Sequence, residues 1–127
     1  MIEVKNVEKS FGDSKVLKGV STVFETGKTN LIIGQSGSGK TVLLKSLLGI
    51  HTPEVGTISF DGRIYSDLTS DEKRELRTEI GMVFQGSALF DSMTVSENVG
   101  FPLRMFTHNS KSEIQDRVDF VLKRVNL

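Results

Sequence analysis

The stretch IIGQSGSGKTVLL, residues 32–44, contains Gly34 and then Gly39, Lys40 and Thr41 at the spacing of a phosphate-binding loop. Glycines 34, 37 and 39 let the backbone fold round a phosphate with no side chain in the way. If a helix opens here, the amides of Gly37 to Thr41 point inward as donors toward a negative charge. Lys40 would add a full positive charge at the β and γ phosphates, and the Thr41 hydroxyl is a hard oxygen suited to Mg²⁺. The bland alternative is a Gly/Ser-rich turn that binds nothing. At background composition, however, the full pattern arises by chance in well under roughly 1% of chains this long.

The elements flanking the stretch must position it. TNLII before Gly34 is short and continuously apolar, which predicts a strand buried on both faces, as in a parallel sheet covered by helices. Residues 39–48 then carry Val42, Leu43, Leu44, Leu47 and Leu48, a helix that Gly49 would end in a left-handed conformation. Upstream, Ile2, Val4 and Val7 begin one strand, and Val16, Leu17, Val20, Val23 and Phe24 mark a second extended segment. Asp61-Gly62 between TISF and RIY is a hairpin signal, because both residues tolerate positive φ. Thr69 with Glu72, Thr94 with Glu97 and Ser110 with Glu113 are capping boxes, so each should open a helix. GMVFQ, residues 81–85, reads as another short buried strand leading into a loop, Gly86 to Met93. The order is mixed α/β.

Composition restricts the partners. The chain has 127 residues, room for about one domain. Sixteen basic and sixteen acidic side chains cancel. Only Asp71 to Glu79 gathers charge, with both signs mixed, so no footprint for nucleic acid or an anionic membrane is expected. That run, with Leu76 and Ile80 one turn apart, reads as a solvated helix face. There are no cysteines, which excludes disulfides and thiolate metal sites and suits a reducing cytosol. The opening MIEVKNVEKS alternates like a strand and unlike a signal peptide. No apolar run approaches the ~20 residues that span a bilayer. His51 and His108 lack metal-ligand partners at suitable spacing and read as solvated surface.

A more specific resemblance follows from GQSGSGKTVLLKSLLG with Gln85 in GMVFQ downstream, ALFDSMTVSENV behind it and EKSFGDSKVLKGVS ahead of it. Over essentially the whole chain, this combination resembles the ATP-binding subunit of an ABC transporter. The resemblance implies a P-loop NTPase core of the ABC ATPase type. Residues 1–30 would form an antiparallel β part, 31–93 the P-loop core with its Gln loop, and 94–127 the start of a helical subdomain. It implies ATP and Mg²⁺ as cofactors. Gly34, Ser36, Gly37, Ser38, Gly39, Lys40, Thr41 and Val42 would hold the phosphates, Val42 through its amide alone because the family more often has Ser or Thr there. Phe11 would stack on adenine, with Val16 lining the base. Gln85, like Thr41, would touch Mg²⁺; it would also contact the attacking water and face the membrane partner, so Lys40 and Gln85 are the catalytic candidates. Within the family, FQGSALFDSMTVSENVGFPL looks closest to MlaF-like subunits that power phospholipid trafficking.

The resemblance also implies partners: transmembrane permease subunits and a second ATP-binding subunit arranged head to tail. It implies a peripheral position on the cytoplasmic face of the cell membrane, with contact to the bilayer only through the permease. These 127 residues contain no LSGGQ-type signature, no apolar run ending Asp-Glu and no switch histidine. SALFD ends at Asp91, but Ser92 follows where the general-base glutamate should stand. The expectation is therefore a truncated N-terminal portion of one cassette, binding Mg·ATP without turnover. The sheet face and the Ile114/Val118/Val121 stripe would be left uncovered. Two other classes share the loop: a soluble ABC-type ATPase of DNA repair or translation, and a non-catalytic nucleotide-sensing module. The undivided spacing from Lys40 to Gln85 and the neutral charge favour the transporter type.

Overall fold

The computed structural model describes residues 1–127 apart from Gln85 and Ser87. Its described residues divide into two compact units, Met1–Met82 and Val83–Leu127. In the first, β1 (Ile2–Phe11), β2 (Ser14–Phe24), β3 (Val55–Phe60) and β4 (Arg63–Ile64) form an antiparallel sheet in the order β2-β1-β3-β4. Val4 and Val7 lie three positions apart, so a regular strand would point them to opposite faces. A bulge between them, with Asn6 at φ 48°, turns both into the core. Gly56 makes room for that bulge: a Cβ there would sit 2.4 Å from the carbonyl oxygens of Lys5 and Asn6. Asp61 and Gly62 adopt φ 48° and 82°, the paired positive values of the expected tight hairpin between β3 and β4.

Helix α1 (Lys40–Leu47), a short 3-10 helix (Tyr65–Asp67) and helix α2 (Ser70–Thr78) complete this unit. Val4, Val7, Leu17, Leu43, Leu47, Ile58, Phe60 and Leu76 form one buried cluster, each burial contributing about 1.5–3 kcal/mol. Leu76 is the only buried residue of α2, so the charge run is a solvated face anchored by one leucine. Arg63 donates to both carboxylate oxygens of Glu79 at 3.1 and 2.8 Å, tying the hairpin to the end of α2. At the far end of α1, Gly49 takes φ 66° as expected. Its amide donates to Ser46 and that of Ile50 to Lys45, which closes the helix with a Schellman pattern.

Two expected strands are not strands here. Residues 29–33 are irregular: Leu31 and Ile33 are 83% and 81% exposed, while Ile32 alone packs against the core. Residues 81–84 are likewise irregular, and Val83 is almost fully exposed; Gln85, the last residue of that expected strand, lies outside the described residues. The physical reason is pairing. A strand buried on both faces needs ladder neighbours, and among the described residues the sheet consists of β1 to β4. Apolar continuity signals burial but supplies no partner.

In the second unit, residues 88–93 form a loop leading into α3 (Val95–Phe106), followed by α4 (Lys111–Arg124). All three capping boxes are present as expected: Thr69, Thr94 and Ser110 each accept from the amide three residues on and donate their own amide back to Glu72, Glu97 and Glu113. The Ile114/Val118/Val121 stripe is not left open. Val118 is buried and its two companions half-buried, because α3 packs on α4 and presents Gly100 to Ile114 and Val118. A Cβ at Gly100 would lie 3.3 Å from both Ile114 and Val118, so the glycine sets how closely the two helices approach.

Candidate phosphate-binding site

The loop from Gly34 to Lys40 turns on two residues in left-handed conformations, Gly37 at φ 78° and Gly39 at φ 93°. Gly39 is also buried. A Cβ there would lie 3.1 Å from side-chain carbons of Val16 and Leu17 and 3.4 Å from the Val16 carbonyl oxygen, so β2 buttresses the loop. The Ser38 amide donates to Gln35 at 3.2 Å, closing the turn, and Leu43 donates to Gly39 at 2.8 Å, starting α1. Lys40 folds back over the loop, its Nζ donating to the carbonyl oxygens of Gly34 and Gln35 at 2.7 Å each. A side chain at Gly34 would collide with Ser38 Oγ at 2.7 Å, so the loop is closed tightly on itself.

The start of α1 differs electrostatically from the other helices. Gly39 provides no side-chain cap, and no acidic residue stands in the first turn. Among the described residues, the amides of Gly39, Lys40, Thr41 and Val42 have no hydrogen-bond acceptor. The positive end of the helix dipole is therefore uncompensated, and a bound anion would satisfy it. The donor set fits a magnesium-nucleotide: unpaired amides, one ammonium, the exposed Thr41 hydroxyl oxygen and no carboxylate in that turn to repel phosphate. No group of three or more His, Cys, Asp or Glu side chains forms a metal cage among the described residues. Among the described residues of the loop, Thr41 is the side chain that would hold a magnesium ion beside phosphate oxygens.

The structure brings Val16 to the loop through Gly39. Phe11 stands opposite Ser14 in the β1–β2 register, and Val16 follows two residues along β2 at a break in that register between Lys9 and Ser10, so both lie toward the same end of the hairpin. Phe11 is 45% exposed. Gln85 lies outside the described residues. His51, expected as solvated surface, is instead half-buried, with its ring 5.1 Å from that of Phe11 at 78°. Gly49 turns the chain so that His51 follows the helix end, a tertiary approach with no local signal. His108 is exposed, as expected.

A glycine loop of this spacing opening an uncapped helix, buttressed by an antiparallel sheet, is the arrangement of a phosphate-binding fold of the α/β class. The family model for the ABC transporter matches residues 17–127, and the chain belongs to that family. It is 43% identical to the probable ribonucleotide transport ATP-binding protein mkl of Mycobacterium leprae, covering 99% of this chain and 36% of the relative. It is 39% identical to the intermembrane phospholipid transport system ATP-binding protein MlaF of Haemophilus influenzae, covering 100% of this chain and 48% of the relative. Among solved structures it superposes on the dimeric structure of MJ0796, a bacterial ABC transporter cassette, with a TM-score of 0.87, 34% identity and coverage of 100% of this chain and 58% of that one. MJ0796 bound to ADP and Pi in a post-hydrolysis state matches with a TM-score of 0.86 at 33% identity, with the same coverage of both chains. The fold is that of an ABC ATPase cassette, and the chain spans less than half the length of these curated relatives.

Proposed function

We propose that this chain is the ATP-binding part of an ABC transporter ATPase. The observation that carries the reading is the phosphate loop: four amides without acceptors at an uncapped helix start, with Lys40 already folded over them. Residues 1–30 supply the first two strands of the antiparallel β part, 31–93 the P-loop core with its Gln loop together with the β3–β4 hairpin that completes that sheet, and 94–127 the start of the helical subdomain. On binding, the Lys40 ammonium exchanges two carbonyl oxygens for β and γ phosphate oxygens, a gain because its acceptors become charged. The amides of Gly37 to Val42, with the loop residues Gly34, Ser36 and Ser38, cradle the phosphates, and Phe11 and Val16 hold the base. Thr41 and Gln85 would hold Mg²⁺, which supplies charge neutralisation at the terminal phosphates. Gln85 also orients the attacking water and faces the permease.

In the whole protein, two such cassettes meet head to tail. Each nucleotide is then capped by the partner, and closure drives permease subunits at the cytoplasmic face of the membrane. Contact with the bilayer runs through the permease; among the described residues no helix is long and apolar enough to cross a membrane. The likeness to MlaF supports phospholipid as the cargo class. Residues 1–127 alone bind Mg·ATP without sustained turnover, since the residues that complete the catalytic site are not among them. The test is calorimetric titration with Mg·ATP alongside steady-state phosphate release, each against Lys40→Ala. Binding that drops at least tenfold in the variant, with no Lys40-dependent release, is expected. Unchanged affinity in the variant would refute the site, and steady Lys40-dependent release would refute the lack of turnover.

A further inference from the structure

Phe11 sits at the tip of a hairpin with 45% of its surface exposed, a position where an aromatic ring would ordinarily sample several rotamers. Here two neighbours restrain it. The Lys9 ammonium lies over the Phe11 ring, 5.2 Å from its centroid. Lys9 is itself held by an ion pair with Glu54, and the other carboxylate oxygen of Glu54 accepts from the Ser10 amide at 2.9 Å. The Glu54 amide donates to the Glu8 carbonyl at 3.0 Å, so this restraint is fastened to β1 at both ends. The second neighbour is His51, nearly perpendicular to Phe11 at 5.1 Å, an arrangement in which the ring quadrupoles attract. The His51 amide donates to Lys45 at 3.3 Å, just beyond the Gly49 turn. Helix α1 therefore opens on the phosphate loop at one end and leads to the aromatic platform at the other.

We propose that His51 and the Lys9–Glu54 pair form a clamp that presets the Phe11 ring for stacking on a nucleobase, making His51 a positioning residue for the base. This rests on the reading of Phe11 as the base platform. The physical effect is preorganisation: a ring already immobilised loses less side-chain freedom when a base stacks on it. Neither contact touches the phosphates, so the clamp affects base-dependent affinity alone.

The experiment titrates the chain with ATP and, separately, with inorganic tripolyphosphate, using Phe11→Ala, His51→Ala and His51→Phe. Phe11→Ala is expected to weaken ATP binding roughly ten- to hundredfold, the range for loss of a stacked base. His51→Ala is expected to weaken it roughly three- to tenfold, the range for one newly freed side chain, with tripolyphosphate affinity unchanged. His51→Phe, which keeps the perpendicular ring contact, is expected to restore ATP affinity. If Phe11→Ala weakens ATP and His51→Ala does not, the clamp is overturned and the platform reading stands. Should Phe11→Ala leave ATP affinity unchanged, the platform reading itself fails. Equal weakening of ATP and tripolyphosphate by His51→Ala would show general damage and overturn the clamp, as would failure of His51→Phe to restore affinity.

Discussion

Replacing Gly39 by alanine tests whether β2 sets the shape of the phosphate loop. Gly39 holds φ 93°, where an L-residue costs about 1–2 kcal/mol by backbone sterics alone. The added methyl would also meet Val16 and Leu17 at 3.1 Å and the Val16 carbonyl at 3.4 Å, closer than a packed interior accepts without movement. Such overpacking costs typically 1–3 kcal/mol, so Gly39→Ala is expected to lose about 2–5 kcal/mol. Gly37→Ala is the matched control. Its φ is 78° but nothing lies within 4 Å of its Cβ, so only the conformational cost of about 1–2 kcal/mol applies. Equilibrium urea unfolding of both variants isolates the packing contribution as their difference, and the midpoint reports it if the slope is unchanged. Displacement of Val16 by the new methyl should also weaken nucleotide binding in Gly39→Ala more than in Gly37→Ala. Equal stability of the two variants within about 0.5 kcal/mol would refute the claim that the hairpin packs on the loop.

Leu76→Ala should cost about 2–5 kcal/mol in the same unfolding assay, because α2 reaches the core through that side chain alone; a cost under 1 kcal/mol would show that α2 is not docked. Gly100→Val should destabilise the α3–α4 pair by about 1–3 kcal/mol, since the new side chain displaces Ile114 and Val118, measured by loss of helical circular dichroism on heating. Thr94→Ala should cost about 1 kcal/mol of helix stability and free the preceding loop, where the Asn98 side chain accepts from the Phe90 amide at 2.8 Å and donates to its carbonyl at 3.1 Å; amide exchange at Phe90 would report the loosening. Hydrogen bonds from Thr69, Thr94 and Ser110 hold the Glu72, Glu97 and Glu113 carboxyls below their usual range. A pKa depressed by folding adds stability above the unfolded value, which is lost as pH falls through the folded one. Thermal stability should therefore decline as pH drops through and below the ordinary glutamate value of about 4.3. Replacing all three glutamates with glutamine should flatten that decline.

The sequence alone determined the parts whose physics is local. The glycine, lysine and threonine spacing specified a loop of backbone donors. Asp61-Gly62, Gly49 and the three capping boxes specified their turn, helix end and helix starts, because each is satisfied within a few residues of chain. Residues 29–33 and 81–84 show the opposite case. Their apolar runs signal burial, but strand pairing is a relation between distant segments, and the described residues supply no ladder partner. The bulge at Asn6 was hidden too, since nothing in the spacing of Val4 and Val7 announces that Gly56 will admit the extra residue. Only the tertiary structure covered the Ile114/Val118/Val121 stripe with α3 and brought His51 to Phe11. Both contacts join residues far apart in sequence, where side-chain identity supplies the affinity and the folded path of the chain decides which partner is met.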